Sequence, residues 1–442
     1  MRDGNPDLVT VVGIGAGGWD DLSRTSRSAL TGAKVILGSS RQLDLLPSEV
    51  AATRVAWPSP LVPALPGLFE EHTGPGVCVL ASGDPMFHGI GATLVRLLGA
   101  SRVRVLPHPS SVSLAAARMG WPLAAVEVVS LVTDSVDVLR RALNPGRKIL
   151  VLSRDASTPS AVAGLLSSAG FSEATLTVLS QLGGPAETIV TLPQPPELSA
   201  TPPPQPEPSL APSRRLESSA TPSQRPEPRA PIPRIPDISG IDALNVVAID
   251  CGDGPATSLA PGLPDSSYVS DGQLTKREIR AVTMSVLAPA PGSLLWDVGA
   301  GSGSIGIEWM RSHPSCRAIA IESHDARVST IATNAASLGV PGLRVVHGSA
   351  PAALEGLPAP DTIFIGGGLT RDGVLGACLA VLRPGGRLVA NAVTVESEAF
   401  LAAAYAEHGG EMTRVAINRA SPVGGFTGWR AMMPVTIWSV TR

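Results

Sequence analysis

The chain has 442 residues, 44% apolar and 16% charged, with a formal net charge of −3. It is therefore neither one small domain nor a disordered polymer, and no global field draws it to nucleic acid or to an anionic membrane. Aromatics make up only 3% against 46 glycines and 42 prolines, so its cores must be built from Ala, Val, Leu and Ile. Cys78, Cys251, Cys316 and Cys378 lie far apart without a C-x-x-C pair. That argues against a zinc site or a disulfide framework and suits core thiols in a reducing cytoplasm. The first residues show no apolar signal core, and no long run is apolar enough to span a bilayer, which points to a cytoplasmic protein.

Strands are expected at 8–12, 34–37, 77–81, 103–106, 126–131 and 148–152, where short Val/Ile/Leu runs alternate with helical stretches. After the first strand, Gly13, Gly15 and Gly18 spell G-x-G-x-x-G, so a dinucleotide site must be considered. The following Trp19-Asp20-Asp21 opens a helix poorly, and the next strand ends without a carboxylate for a ribose. Further on, Gly83-Asp84-Pro85 follows one strand and Ser110-Ser111 another. Gly-Asp-Pro alone is ordinary turn chemistry, but all three loops end strands, where open α/β sheets collect ligands.

The tract 193–236 is dominated by Pro, Ser, Glu and Arg and cannot offset its ordering entropy, so it is expected to be disordered. A buried-strand pattern at 244–250 follows it, which makes the tract an insertion before the last strand of a first domain, 1–255. A turn-rich hinge, 256–267, leads to a second domain, 268–442.

In that domain, strands at 294–298, 318–322, 344–347, 362–365 and 387–391 alternate with helices in a doubly wound series, and runs at 412–417 and 433–440 suit an antiparallel edge. The first of these strands runs into Asp297-Val-Gly299-Ala300-Gly301-Ser302-Gly303, whose glycines let the backbone approach a nucleotide-like ligand. Gly301, Gly303 and Gly306 also fit the dinucleotide spacing. Asp297 before the first glycine favours a cationic methyl donor, which it would meet. Glu322, about 20 residues on, ends the next strand where a carboxylate accepts ribose hydroxyls. Gly348-Ser349-Ala350 lies where an adenine-contacting loop would be. Thr275 with Glu278 three residues on reads as a capping box, and 382–387 as a plain Pro-Gly turn.

The second domain resembles the class I methyltransferases, and more narrowly the corrin-pathway domain called CbiT. The resemblance rests on its glycine loop, on Thr275-Lys-Arg-Glu278-Ile-Arg280 and on Gly348-Ser-Ala-Pro-Ala-Ala-Leu354. It implies S-adenosylmethionine contacts at Thr275, Gly299, Ala300, Gly301, Ser302, Gly303, Glu322 and Ala350. In the first domain G-x-G, S-G-D-P-x-F-x-G and P-x-x-S-S-x-x-x-A-A, in that order, resemble the tetrapyrrole methylases of the CbiE branch, over about 8–191 and again at 244–251. This implies cofactor contacts at Gly13, Gly15, Gly83, Asp84, Pro85, Ser110 and Ser111. One departure is Ser130-Leu-Val-Thr-Asp134, where relatives carry Ser-Leu-His-Gly.

The two resemblances together imply an α/β enzyme, a tetrapyrrole-methylase-like domain joined to a Rossmann-like methyltransferase. Its expected reaction is methylation of a precorrin at carbons 5 and 15 with loss of carbon dioxide from the carbon-12 acetate. The nucleophile is the ring carbon, so no Ser/His/Asp or Cys/His set is needed and no metal is implied. The expected partner is the small-molecule tetrapyrrole, with no nucleic acid and no membrane, and a homo-oligomer is compatible with it. Its carboxylates call for cations, for which Arg277, Arg280, Arg371 and Arg430 are the candidates. His324, His347 and Arg371 are candidates for controlling protonation, and no catalytic residue is assigned. A nicotinamide oxidoreductase and a non-catalytic tetrapyrrole-binding protein stay open.

Overall fold

The computed structural model describes residues 8–72, 74–192 and 240–442; the Pro-rich tract 193–236 lies outside them. Two compact units emerge, the described residues of Met1–Val132 with Lys148–Gly254, and Thr133–Arg147 with Pro255–Arg442.

The first unit holds two five-stranded sheets. In one, β1 (Val9–Ile14), β2 (Val35–Gly38), β3 (Thr53–Ala56), β4 (Val77–Ser82) and β5 (Val103–Leu106) lie in the order β3-β2-β4-β1-β5, all parallel. Helices cover both faces, which is why β1 and β4 are almost wholly apolar. Alternate residues serve opposite cores: Val12, Ile14, Cys78 and Leu80 pack with Leu30 on one side, and Val9, Val11, Val77 and Val79 with Leu65 and Phe69 on the other.

The second sheet contains β6 (Glu127–Ser130), β7 (Lys148–Leu152), β8 (Thr175–Ser180), β9 (Thr188–Leu192) and β10 (Asn245–Asp250), in the order β6-β7-β10-β8-β9. The strand that follows the Pro-rich tract is thus central, antiparallel to both β7 and β8. β3, β8 and β9 go beyond the sequence expectation. β3 and β9 are largely exposed, so neither shows the apolar pattern on which such an expectation rests.

The second unit is one seven-stranded sheet. β11 (Leu294–Val298), β12 (Arg317–Glu322), β13 (Arg344–His347), β14 (Thr362–Ile365) and β15 (Arg387–Ala392) are parallel. β16 (Glu411–Val415) and a late strand join antiparallel, with a hairpin of β17 (Asn418–Val423) and β18 (Phe426–Ala431) between them; the late strand is β19 (Val435–Thr441). The order is β13-β12-β11-β14-β15-β19-β16. In β11, Leu295 joins the core of Ile305, Trp309 and Phe364, while Leu294, Trp296 and Val298 join that of Ile363, Ile365 and Trp438. The chain reverses its winding beside β11, the place where a doubly wound sheet opens a crevice.

All four cysteines are buried, and among the described residues none is joined in a disulfide. Among the described residues no helix is long and apolar enough to cross a membrane.

Candidate functional site

The carboxyl ends of β11, β12, β14 and β15 surround one cavity of about 660 Å³ in the second unit. Its floor is the loop after β11, where Gly299, Gly301 and Gly303 all have left-handed backbones, at φ +71°, +60° and +78°. A Cβ at Gly299 would sit 2.6 Å from the Gly367 backbone, and one at Gly301 2.9 Å from the Gln273 carbonyl oxygen. Only glycine accommodates both the conformation and the approach. Glu322, 4% exposed at the end of β12, is held in orientation by backbone N–H groups. Gly301 N–H donates to Oε2 at 2.8 Å, and Ser323 and His324 N–H donate to Oε1 at 2.8 and 3.0 Å. A carboxylate has about four acceptor positions, so capacity remains for a ligand hydroxyl.

Asp297 corrects the expectation that it would meet the ligand. It is 1% exposed and points behind the loop, where its Oδ2 accepts the Gly306 N–H at 2.9 Å, and Oδ1 has no partner. It fastens the loop to the helix Ser304–Ser312. Burial, aided by the Glu322 charge and opposed by the Gly306 bond, pushes its carboxyl from the ordinary 3.8 up to about 7. The folded state therefore keeps this proton where the unfolded chain has lost it. Stability contributed here falls as pH rises from about 4 to about 7, by roughly 1.4 kcal/mol per pH unit, and is level above that window. Asp297→Asn is expected to remove the slope from the thermal transition of the second unit, measured between pH 5 and 8; an unchanged slope would show that Asp297 is not its source.

Of the sequence candidates, Thr275, Gly299, Ala300, Gly301, Glu322, Ala350, His324 and Arg371 line the cavity. Ser302 and Gly303 do not: Ser302 is 3% exposed, and a Cβ at Gly303 would press 2.8 Å from Ile331. His347 also lies off the lining, with Nε2 3.1 Å from the Ser323 carbonyl oxygen and 3.2 Å from Asp325. The capping box at Thr275 is absent. The helix starts at Arg277 behind Lys276 without a side-chain cap, and Glu278 accepts instead from Arg419.

Arg277 and Arg430 are exposed and do not line the cavity. Arg280 is the clearest correction, for it is wholly buried. Its Nε donates to Glu308 Oε1 at 2.6 Å, and its other nitrogens donate to the Thr275 and Leu263 carbonyls. Glu308 in turn accepts from the N–H groups of Gly262 and Leu263 and from the Tyr268 hydroxyl. This buried pair ties the segment before the helix, Thr275 included, to the helix Ser304–Ser312. Sequence reading missed Arg327, which lines the cavity while donating to Asp271 at 2.8 Å, and Asn391 at the end of β15. A charge one turn into a helix after a strand-end acid is the only signal Arg327 offers.

A second cavity lies in the first unit, where β1 and β4 of one sheet end near β7, β8 and β10 of the other. Gly15, Gly83, Asp84, Ser110 and Ser111 line it. Asp84 shapes its own turn by accepting the Met86 N–H at 2.9 Å, and Ser110 caps the helix Ser111–Met119 through the Ser113 N–H. Gly13 and Pro85 serve packing instead. A Cβ at Gly13 would lie 2.0 Å from the Gly83 carbonyl oxygen, and buried Pro85 accepts the Gly91 N–H through its own carbonyl at 2.9 Å. Arg41, absent from the sequence candidates, lines this cavity and donates to Ser82 Oγ at 3.2 Å.

Two family profiles match the chain. Tetrapyrrole (Corrin/Porphyrin) Methylases covers residues 8–195, and Precorrin methyltransferase domain covers residues 266–442. A Mycobacterium tuberculosis (strain CDC 1551 / Oshkosh) protein named Precorrin-6Y C(5,15)-methyltransferase [decarboxylating] is 46% identical over 98% of this chain and 100% of its own length. The chain belongs to the precorrin-6Y C(5,15)-methyltransferase [decarboxylating] family. A Sinorhizobium member of the same name is 42% identical over 98% of this chain and 96% of its own. The crystal structure of the C-terminal domain of the Rhodobacter capsulatus precorrin-6Y C5,15-methyltransferase is 45% identical, covering 42% of this chain and 100% of that one, with a TM-score of 0.40. Family membership accounts for both halves at once and leaves the nicotinamide and non-catalytic readings without support.

Proposed function

We propose that the chain methylates a precorrin macrocycle at carbons 5 and 15 and removes carbon dioxide from the carbon-12 acetate, using S-adenosylmethionine in two separate sites. Similarity along the whole chain to decarboxylating methyltransferases supports the activity. The observation that carries the two-site reading is that each unit has its own glycine-lined cavity at the ends of its own strands. On this reading residues 1–255, with the insertion 193–236, form the tetrapyrrole-methylase half, 256–267 the hinge, and 268–442 the class I half.

The residues of the second unit's cavity fit an adenosyl cofactor. The loop glycines let the Gly367 and Gln273 backbones close against the loop and so fix its shape, and Glu322 has an oriented acceptor left for a ribose hydroxyl. When bound, S-adenosylmethionine supplies an electrophilic methyl group to a nucleophilic ring carbon. The protein then has to position and to neutralise charge rather than to activate a nucleophile. Lys276, Arg327 and Arg371 line the cavity and supply positive charge for the macrocycle's carboxylates. His324 lines it too and is the group placed to hold a proton there, which separates it from His347.

Glu322→Ala removes a charge-assisted acceptor worth about 1.5 to 3 kcal/mol and an anchor of the Gly301 loop, so affinity of the second unit for S-adenosylhomocysteine is expected to fall at least about tenfold. Titration checks this, and an unchanged affinity removes Glu322 from the site. The function itself is tested by mass spectrometry of the product made with labelled methyl donor. Two labelled methyl groups gained and one carbon dioxide lost are expected; retention of the carboxyl group, or no methyl gain, overturns the proposal.

A further inference from the structure

We infer that Arg41, together with the Ser82 hydroxyl, forms a carboxylate-binding subsite in the first unit's cavity, which takes the carboxylate of the cofactor's amino-acid end or one of the macrocycle's side-chain carboxylates. The inference rests on reading that cavity as a methyl-transfer site.

Ser82 ends β4 and is exposed, Arg41 follows β2 and is half-buried, and both line the cavity. The Ser82 Oγ accepts two hydrogen bonds, from Arg41 Nη2 at 3.2 Å and from Gln42 Nε2 at 3.1 Å. Gln42 cannot be turned over, because its Oε1 accepts the Ser39 N–H at 2.9 Å, the return bond of a capping box. A hydroxyl oxygen has two acceptor positions and one proton, so with both positions taken Ser82 has only its proton to give. The guanidinium carries five N–H donors and no acceptor. Among the described residues Ser82 is the one partner it bonds. The edge that Arg41 and Ser82 present to the cavity therefore only donates.

No carboxylate among the described residues neutralises Arg41 by direct contact. Asp242 is the acid whose charge reaches it, but that carboxylate is occupied by the Leu244 N–H at 2.7 Å and by the Gln181 side chain. Burial lowers the Arg41 pKa from its ordinary value, and the Asp242 charge opposes the shift. The cation is thus partly stripped of water without gaining an ion pair. Among the described lining residues Arg41 is the one cation, and the one acid, Asp84, accepts the Met86 N–H through its Oδ1. A ligand group that only accepts and is negative fits this edge, whereas an ammonium does not. The planar guanidinium fork matches the two oxygens of a carboxylate, and the Ser82 proton adds a third donor beside it.

The test has two arms. In one, S-adenosylhomocysteine and its decarboxylated analogue, S-adenosyl-3-thiopropylamine, are titrated into the full chain carrying Gly301→Val, so that the first unit's site is read. In the other, each methyl addition to the precorrin is followed by mass in the full chain with Gly301 intact. Arg41→Gln keeps a donor for Ser82 and loses the charge. If the cofactor's carboxylate is held there, affinity for S-adenosylhomocysteine falls at least about tenfold and that for the analogue is unchanged. If a macrocycle carboxylate is held there, both affinities are unchanged and the precorrin concentration giving half the maximal rate of one methyl addition rises at least about tenfold. Ser82→Ala should move the same quantity in the same direction, which decides the matter if Arg41→Gln does not fold. An equal loss of affinity for both compounds, as a merely structural Arg41 would give, overturns the inference, and so does no change in any of the three quantities. If the first unit binds neither compound while Arg41 is still in place, the reading of the cavity as a methyl-transfer site fails instead.

Discussion

Gly301→Val is expected to abolish useful cofactor binding in the second unit while leaving the first unit's site unaffected. At φ +60° any side chain strains the backbone by about 1 to 2 kcal/mol, and a β-branched one by more. The new Cβ would lie 2.9 Å from the Gln273 carbonyl oxygen, which is backbone and cannot swing away as a flexible side chain would. Either the glycine loop or the segment carrying Gln273 and Thr275 must shift, and both line the cavity. The bond from Gly301 N–H to Glu322 is lost in the first case. Affinity for S-adenosylhomocysteine should drop more than about 100-fold, equivalent to about 2.7 kcal/mol. Binding of ordinary strength by this variant would mean that the loop is not the cofactor's cradle.

Arg280→Met is expected to be the most damaging change to stability outside the cavities. It leaves the Glu308 carboxylate, 3% exposed, without its cation, and breaking a buried pair from one side costs about 3 to 5 kcal/mol. For a unit of this size the melting transition should fall by about 6 to 20 °C. The double change Arg280→Met with Glu308→Leu removes the stranded charge and should recover part of that loss. A double variant less stable than Arg280→Met alone would show that Glu308 stabilises through its bonds to Gly262, Leu263 and Tyr268 rather than through the pair.

The fate of Arg280 also shows where sequence reading stops. From its neighbours it is a cation at the start of an amphipathic helix beside a ligand loop, which is a fair description of a substrate contact. Its partner lies 28 residues on, in a helix whose single acid reads as a solvated charge, and nothing local announces that both are buried. Asp297 misleads for the same reason: its position before the glycines is visible, but the direction of its side chain depends on the helix that follows. By contrast Gly299, Gly301 and Glu322 are legible because their requirements are local, a left-handed turn and a strand end. Strands buried on both faces, such as β4 and β11, announce themselves as apolar runs. β9 and the hairpin of β17 and β18 are mostly exposed, so backbone pairing holds them and the side-chain pattern stays silent. β10 was readable as a strand, yet its central place between β7 and β8 depends on pairing across distant parts of the chain.

The central claim, two independent cofactor sites on two folds, is tested most directly by the stoichiometry of S-adenosylhomocysteine binding to the full chain, measured calorimetrically. Two molecules per chain are expected, falling to one in Gly301→Val with the affinity of the remaining site unchanged. One molecule per chain, or loss of all binding in Gly301→Val, would contradict it.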